Sequence, residues 1–267
     1  MRLFISSDIE GTAGIVHWDE TDYNRGGRWY DYFREQMTRE AAAACAGAKE
    51  GGAEYVRIKD AHDSSRNIIP SELPEGVNIH RGWSGSPFSM VDGLDEGFDA
   101  LAFTGYHSPS HSNGNPLAHT MSTIVDELTI NGERASEFII HSYIAAMLKI
   151  PVIFLSGDAA LCESAKAFIP GITTVATNTG RGAAVTSLHP ADAVRLIHSG
   201  VKAAVEKGGK GCLPDLPASF ETTIKYQDHR RAYKFSFYQG AEQVNEKTLI
   251  FKSNNLMDLL RFYHFVL

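Results

Sequence analysis

A chain of 267 residues that is 43% hydrophobic and 21% charged has the make-up of an ordinary globular protein, with apolar side chains enough for a substantial core. Its net charge of −7 argues against nucleic acid as a partner, and its apolar runs fall short of the roughly 18–20 residues of a membrane span. Three widely separated cysteines (Cys45, Cys162, Cys212) fit neither a disulfide framework nor a CxxC metal site, and Met1-Arg2 running straight into an apolar segment leaves no room for a signal peptide, so a cytoplasmic protein is expected.

Residues 3–7 read as a strand, and 30–50, with its alanine-rich "REAAAACAGAKE", as a helix stopped by Gly51-Gly52. Strand character returns at 55–59, 100–104 and 124–130, followed by a helix over 136–148, a strand at 152–155, a helix over 159–168 and a strand near 173–176. This alternation predicts an α/β fold in three layers, a mostly parallel sheet flanked by helices. After about residue 185 the texture changes: an amphipathic helix at 190–207, a Gly/Pro-rich connector "KGGKGCLPDLP", three strands ("SFETTIKY", "AYKFSFY", "TLIFK") and a closing helix over 255–266. The expected division is an α/β catalytic domain over 1–185 and a smaller α+β C-terminal lobe over 186–267.

Unusual residues sit where the first strands end. The first runs into Asp8-Ile9-Glu10-Gly11, the second into Asp60-Ala61-His62-Asp63 and the third into Gly105-Tyr106-His107. Residues two apart on extended backbone share a side, so Asp8 and Glu10 aim like charges at one spot. In open α/β sheets ligands bind beyond the carboxyl ends of the strands, and a mixture of carboxylate and imidazole suits zinc or another first-row metal. A single histidine or D-x-E pair is more often a loop or turn residue; the weight rests on three strand ends sharing one chemistry. His119, in "PLAHTMS", is a further candidate. Glu137, next to the good N-cap Ser136, reads on spacing alone as a helix-start acid facing the dipole.

Other motifs are missing or incomplete. "GWSGS" is not a GxSxG elbow, and the chain has no GxxxxGK[ST], no GxGxxG after the first strand and no HExxH. "LFISSDIEGT" also resembles the opening of a Mg²⁺-dependent haloacid-dehalogenase-like phosphatase, with Asp8 as nucleophile, Glu10 as acid/base and Asp158 of "SGDAA" as a metal-binding acid. That scheme leaves His62, His107 and His119 without a role, and magnesium prefers oxygen ligands.

The motifs "SSDIEG", "KDAH", "TGYH", "AHTMS" and "SEFIIHSYIA", in this order and spacing, together with "PFSMVDGLDEGFDA" and "PVIFLSGD", resemble the bacterial D-aminopeptidase family, the DppA-type zinc metallopeptidases. The resemblance implies two Zn²⁺ ions per chain held by Asp8, Glu10, His62, His107 and Glu137, which replaces the purely structural reading of Glu137. It implies a catalytic His119, acting as base, nucleophile or oxyanion donor, and hydrolysis of N-terminal residues such as D-Ala from short peptides. It also implies a homo-oligomer, a ring-shaped decamer with sheltered active sites. Of the ligands, Asp8 is expected to bridge the metals and Glu10 not to. A homologue that keeps the metals without catalysis is the other reading. Ser86 stands where the family has lysine, which bears on what the pocket recognises, the D-alanyl preference, rather than on hydrolysis itself.

Overall fold

The computed structural model describes residues 1–267, the surroundings of Gly26 excepted. In chain order the elements are β1 (Arg2–Ser7), α1 (Tyr23–Gly26), α2 (Arg28–Glu50), β2 (Tyr55–Asp60), β3 (Asn78–His80), β4 (Ala100–Tyr106), β5 (Val125–Ile130), β6 (Glu133–Arg134), α3 (Glu137–Met147) and β7 (Val152–Asp158). They continue with α4 (Ala159–Phe168), β8 (Thr173–Arg181), β9 (Ala184–Ser187), α5 (Pro190–Lys207), β10 (Phe220–Tyr226), α6 (His229–Phe235), β11 (Ala241–Asn245), β12 (Thr248–Ser253) and α7 (Leu256–Val266).

A seven-stranded sheet runs β3-β2-β1-β4-β7-β8-β9, parallel throughout except that β9 returns antiparallel beside β8. Its central strands are buried along their whole length, as a parallel sheet covered by helices requires: Leu3, Phe4 and Ile5 of β1, every residue of β4 and every residue of β7. The strand order reverses between β1 and β4, the switch point at which an open α/β sheet leaves a crevice.

The second sheet, β11-β12-β10-β5-β6, is antiparallel, with α7 packed on β12 and β10. The division at residue 185 therefore separates elements that pack together. Helix α5, assigned from sequence to the C-terminal lobe, buries Ala193, Ile197, Val201, Ala204 and Val205 and lies along α2 and β8. The two helices meet so closely at Gly47 that a Cβ there would lie 2.2 Å from the His198 carbonyl oxygen. Conversely β5, read as part of the first alternation, pairs with β10.

One expected strand is a helix. "AYKFSFY" has the aromatic spacing of a strand, yet residues 229–235 form α6, because the Asp228 side chain accepts the Arg230 N–H and starts a helical turn. Packing then buries Ala232.

Three glycines set the spacing of the strand ends. A Cβ on Gly11 would stand 1.9 Å from the Tyr106 carbonyl oxygen, one on Gly157 2.0 Å from the same atom, and one on Gly105 (φ +70°) 2.2 Å from the Asp8 carbonyl oxygen. Backbone touches backbone here, and only glycine permits it.

Helix α2 carries a buried acid outside the site. Glu40 accepts the Ala13 N–H and the Gln36 Nε2–H, each at 3.0 Å, and its other oxygen has no partner among the described residues. Burial raises its carboxyl to about 7. An unfolded glutamate titrates near about 4.3, so the folded state holds this proton more tightly; the stabilisation is complete below that pH and lost as pH rises through about 7. Glu40→Gln, which keeps an acceptor for Ala13 and needs no proton, is expected to be more stable than the parent at pH 8 by about 3 kcal/mol, with little difference at pH 4. Urea unfolding at the two pH values measures it.

Candidate metal centre

The carboxyl ends of β2, β1 and β4, adjacent in the sheet, deliver His62, Asp8 with Glu10, and His107 to one place. The chain leaving β1 is tied to β4 by the Asp8 N–H to the Thr104 carbonyl and the Gly11 N–H to the Gly105 carbonyl, both at 2.8 Å. Glu137 arrives from the first turn of α3, whose N-cap Ser136 accepts the Ile139 N–H. His119 comes from the loop between β4 and β5.

Six side chains proposed from sequence thus share one cluster. His62 Nδ1 lies 3.2 Å from both Asp8 Oδ1 and Glu10 Oε2; His107 Nε2 lies 3.5 Å from both Asp8 Oδ2 and Glu137 Oε2. His119 Nε2 is 3.6 Å from Glu137 Oε1 and 3.8 Å from Glu10 Oε1, and its ring stacks on that of His107 with centroids 4.2 Å apart. Ligand-capable atoms group as Asp8–Glu10–His62, Asp8–His107–Glu137 and Glu10–His107–His119, each set within 4.8 Å. Asp8, Glu10 and His107 each belong to two of these groups, and the two Asp8 oxygens face different histidines, His62 and His107.

The imidazoles are oriented from behind. His62 Nε2 meets the Thr21 carbonyl at 2.8 Å, His107 Nδ1 the Ser108 carbonyl at 2.9 Å and His119 Nδ1 the Leu117 carbonyl at 2.9 Å. A carbonyl accepts only a proton-bearing nitrogen, so the other nitrogen of each ring is the one turned to the carboxylates, and on giving up its own proton it would be free to ligate a metal, the orientation that metal-ligating histidines adopt. Glu137 Oε1 accepts the Met121 N–H at 2.6 Å, across a loop in which Met121 itself takes φ +63°. These backbone groups carry no signature in the sequence, nor does Trp18, whose ring packs edge-on to His119 at 5.2 Å.

The electrostatics are those of a cation site. Asp8 Oδ2, Glu10 Oε2 and His107 Nε2 are buried without any hydrogen-bond partner, which a native protein rarely tolerates. Burial, then the Glu10 charge, pushes the Asp8 carboxyl well above the usual range. Burial also raises Glu10 and Glu137, but His62 outweighs it for Glu10, held well below its usual value, and His107 draws Glu137 down to about 2. Burial would lower His62 and His107; the carboxylates around them reverse this and lift both well above the imidazole range. Burial and the adjacent His107 instead hold His119 low. Donor type, orphaned atoms and ring orientation all fit zinc.

Asp158, the later acid of the phosphatase reading, stands apart from the cluster. Its oxygens accept the Ser108 N–H, the Ser108 hydroxyl and, at 2.9 Å, the Leu161 N–H, so that it caps α4. The three cysteines are buried and unpaired, and burial pushes the Cys45 thiol up to about 12.

A cavity of about 410 Å³ opens onto the cluster, lined among others by Trp18, Arg25, Trp83, Met90 and Met121. A larger groove of about 1110 Å³ lies between α2 and α5 and holds none of the metal-ligating groups found among the described residues. No described helix is long and apolar enough to cross a membrane.

These features have counterparts in known proteins. A solved structure from Bacillus subtilis, described as the Zn-dependent D-aminopeptidase DppA, a self-compartmentalizing protease, superposes with a TM-score of 0.90 at 26% identity, covering 98% of this chain and 95% of the other. The D-aminopeptidase of Bacillus subtilis strain 168 is 30% identical over 263 residues, 97% of this chain and 93% of its own length. A family model for D-aminopeptidase matches residues 1–265. With the match running through the strand ends, the helix start and the second sheet alike, the chain belongs to the D-aminopeptidase family.

Proposed function

We propose that this chain is a di-zinc aminopeptidase, removing N-terminal residues, D-amino acids such as D-Ala, from short peptides or amides. The observation that carries the reading is the set of three orphaned buried atoms, Asp8 Oδ2, Glu10 Oε2 and His107 Nε2, within one cluster of metal-capable side chains that has a cavity over it. As a member of its family the chain is a zinc-dependent peptide hydrolase; the metal count, the residue roles and the substrate are the proposal.

Asp8, Glu10, His62, His107 and Glu137 would hold the metals; the two oxygens of Asp8 face different histidines, which supports Asp8 as the ligand the metals would share. Zinc there would supply Lewis acidity toward water and toward the scissile carbonyl. The buried acids would set the charge of the site, and the carbonyls of Thr21 and Ser108 would keep the ligand rings from turning. His119 is the cluster member most open to the cavity, its side chain 14% exposed. With Nδ1–H held by Leu117, its Nε2 presents a lone pair that can take a proton from the attacking water and return it to the leaving amine. Assembly into a homo-oligomer, a decamer, and a cytoplasmic location belong to the same proposal; the self-compartmentalizing neighbour supports the first.

Elemental analysis of the purified protein, with hydrolysis of D-Ala-D-Ala and L-Ala-L-Ala before and after chelation, tests it. Two zinc ions per chain and a loss on chelation of at least about 10³-fold, restored by zinc, are expected. Activity that survives metal removal, or Mg²⁺-dependent turnover of a phosphate ester in its place, would overturn it.

A further inference from the structure

One large side chain at the mouth of the cavity is held open to solvent by bonds from two directions. Trp83 is 44% exposed and lines the cavity together with His62, Met90 and His119. Its indole N–H donates to the Asp63 carbonyl at 2.7 Å, and its ring lies over the Lys59 ammonium, 4.2 Å from Nζ to the ring centroid.

Lys59 is fully buried at the end of β2. A buried ammonium is tolerated only when its protons find acceptors. Here Nζ donates to the Gly82 carbonyl at 2.7 Å, Ser65 Oγ at 2.9 Å and the Asp60 carbonyl at 3.0 Å. Those acceptors join the loop that carries His62 to the turn that carries Trp83. The loop takes left-handed backbone at two non-glycine residues, Asp63 (φ +41°) and Ser65 (φ +55°), and Gly82 at the turn has φ +80°. An indole anchored through so much constrained backbone, yet left bare toward a cavity, is built to meet something.

We infer that Trp83 is a specificity-determining residue: its indole is a wall for a large, uncharged apolar side chain on one of the two residues flanking the scissile bond, and Lys59 is the positioning residue that holds the wall. This rests on the peptidase reading above. The remaining walls agree, since Trp18, Met90 and Met121 line the same cavity and methionine adapts to varied apolar shapes. The lysine under the indole argues for an uncharged guest, because a cation on the open face would be repelled through the ring by the Lys59 ammonium. Alanine is too short to use such a wall, so the preference is for a larger residue at that position.

The test uses the zinc-loaded protein and dipeptides with alanine or leucine at the first or the second position, in D and L forms. Hydrolysis is followed by kcat/KM, and binding of the reduced-amide (CH₂–NH) analogues, which cannot be cleaved, by calorimetry. The parent is expected to prefer leucine at one position by about 10-fold or more in both readouts. Trp83→Ala should lower the leucine values about 10- to 100-fold and the alanine values less than about 3-fold, with zinc content unchanged. Trp83→Phe should keep the preference, and Lys59→Met should weaken it. A parent without the preference in either readout, or a Trp83→Ala variant that keeps it, overturns the inference. A parent that cleaves none of the peptides yet binds the leucine analogue more tightly, through Trp83, overturns the peptidase reading and supports the wall.

Discussion

Asp8→Ala is expected to lose at least one zinc per chain and at least about 10³-fold in kcat, several kcal/mol of transition-state stabilisation. The expectation follows from how the carboxylate divides. Oδ1 faces His62 at 3.2 Å while Oδ2 faces His107 at 3.5 Å, so the side chain is the member common to the Asp8–Glu10–His62 and Asp8–His107–Glu137 groups. Truncating His62 or Glu137 takes a donor from one of these groups; truncating Asp8 takes one from both. The fold should survive, because two like-charged neighbours, Glu10 and Glu137, lose a buried carboxylate near them. Metal stoichiometry by mass spectrometry under native conditions, with circular dichroism as the folding control, measures the effect. Unchanged zinc content would rule out a bridging Asp8. Glu10→Ala provides the comparison, since Glu10 also touches two groups and a larger metal loss there would move the bridge to it.

His119→Ala should do the opposite: keep the metal and lose about 10²- to 10⁴-fold in kcat, the usual worth of a positioned general acid/base. Its Nε2 stands farther from the carboxylates than the nitrogens of His62 and His107 do, and its ring faces the cavity edge against Trp18. Because it also belongs to the Glu10–His107–His119 group, zinc content decides between two roles. A variant short of one zinc would make His119 a ligand; a variant with full zinc and full activity would leave it a packing residue under His107. Trp18→Ala, which removes the edge contact while leaving Nε2 in place, is a useful companion for separating orientation from chemistry.

The strand ends were legible because their signal is local. Alternation on an extended chain puts Asp8 and Glu10 on one side, and parallel pairing of β1 with β2 and β4 then carries His62 and His107 to the same edge. Glu137 was ambiguous for a physical reason: an acid in the first turn of a helix has the same spacing whether it faces the dipole or a metal. What decides is the loop that brings the Met121 N–H to its other oxygen, and that loop has no periodicity to read. The carbonyls of Thr21, Ser108 and Leu117 were invisible too, since any residue supplies a carbonyl. The partnership of β5 with β10 escaped because strand pairing across about ninety residues leaves no local periodicity to read. In "AYKFSFY" a one-residue cap, Asp228, outweighed a strand-like pattern.

The contacts at Gly11, Gly105 and Gly157 divide labour within the site. Where main chain rests on main chain, separation is fixed by bond lengths and van der Waals radii, and no rotamer change alters it. The ruler of the candidate metal centre is thus peptide backbone, while Trp83 and Arg25, which line the cavity over it, stand outside the sheet. Such a scaffold lets diet change while chemistry stays put: the rim can be rewritten residue by residue for a new peptide without the ligands shifting.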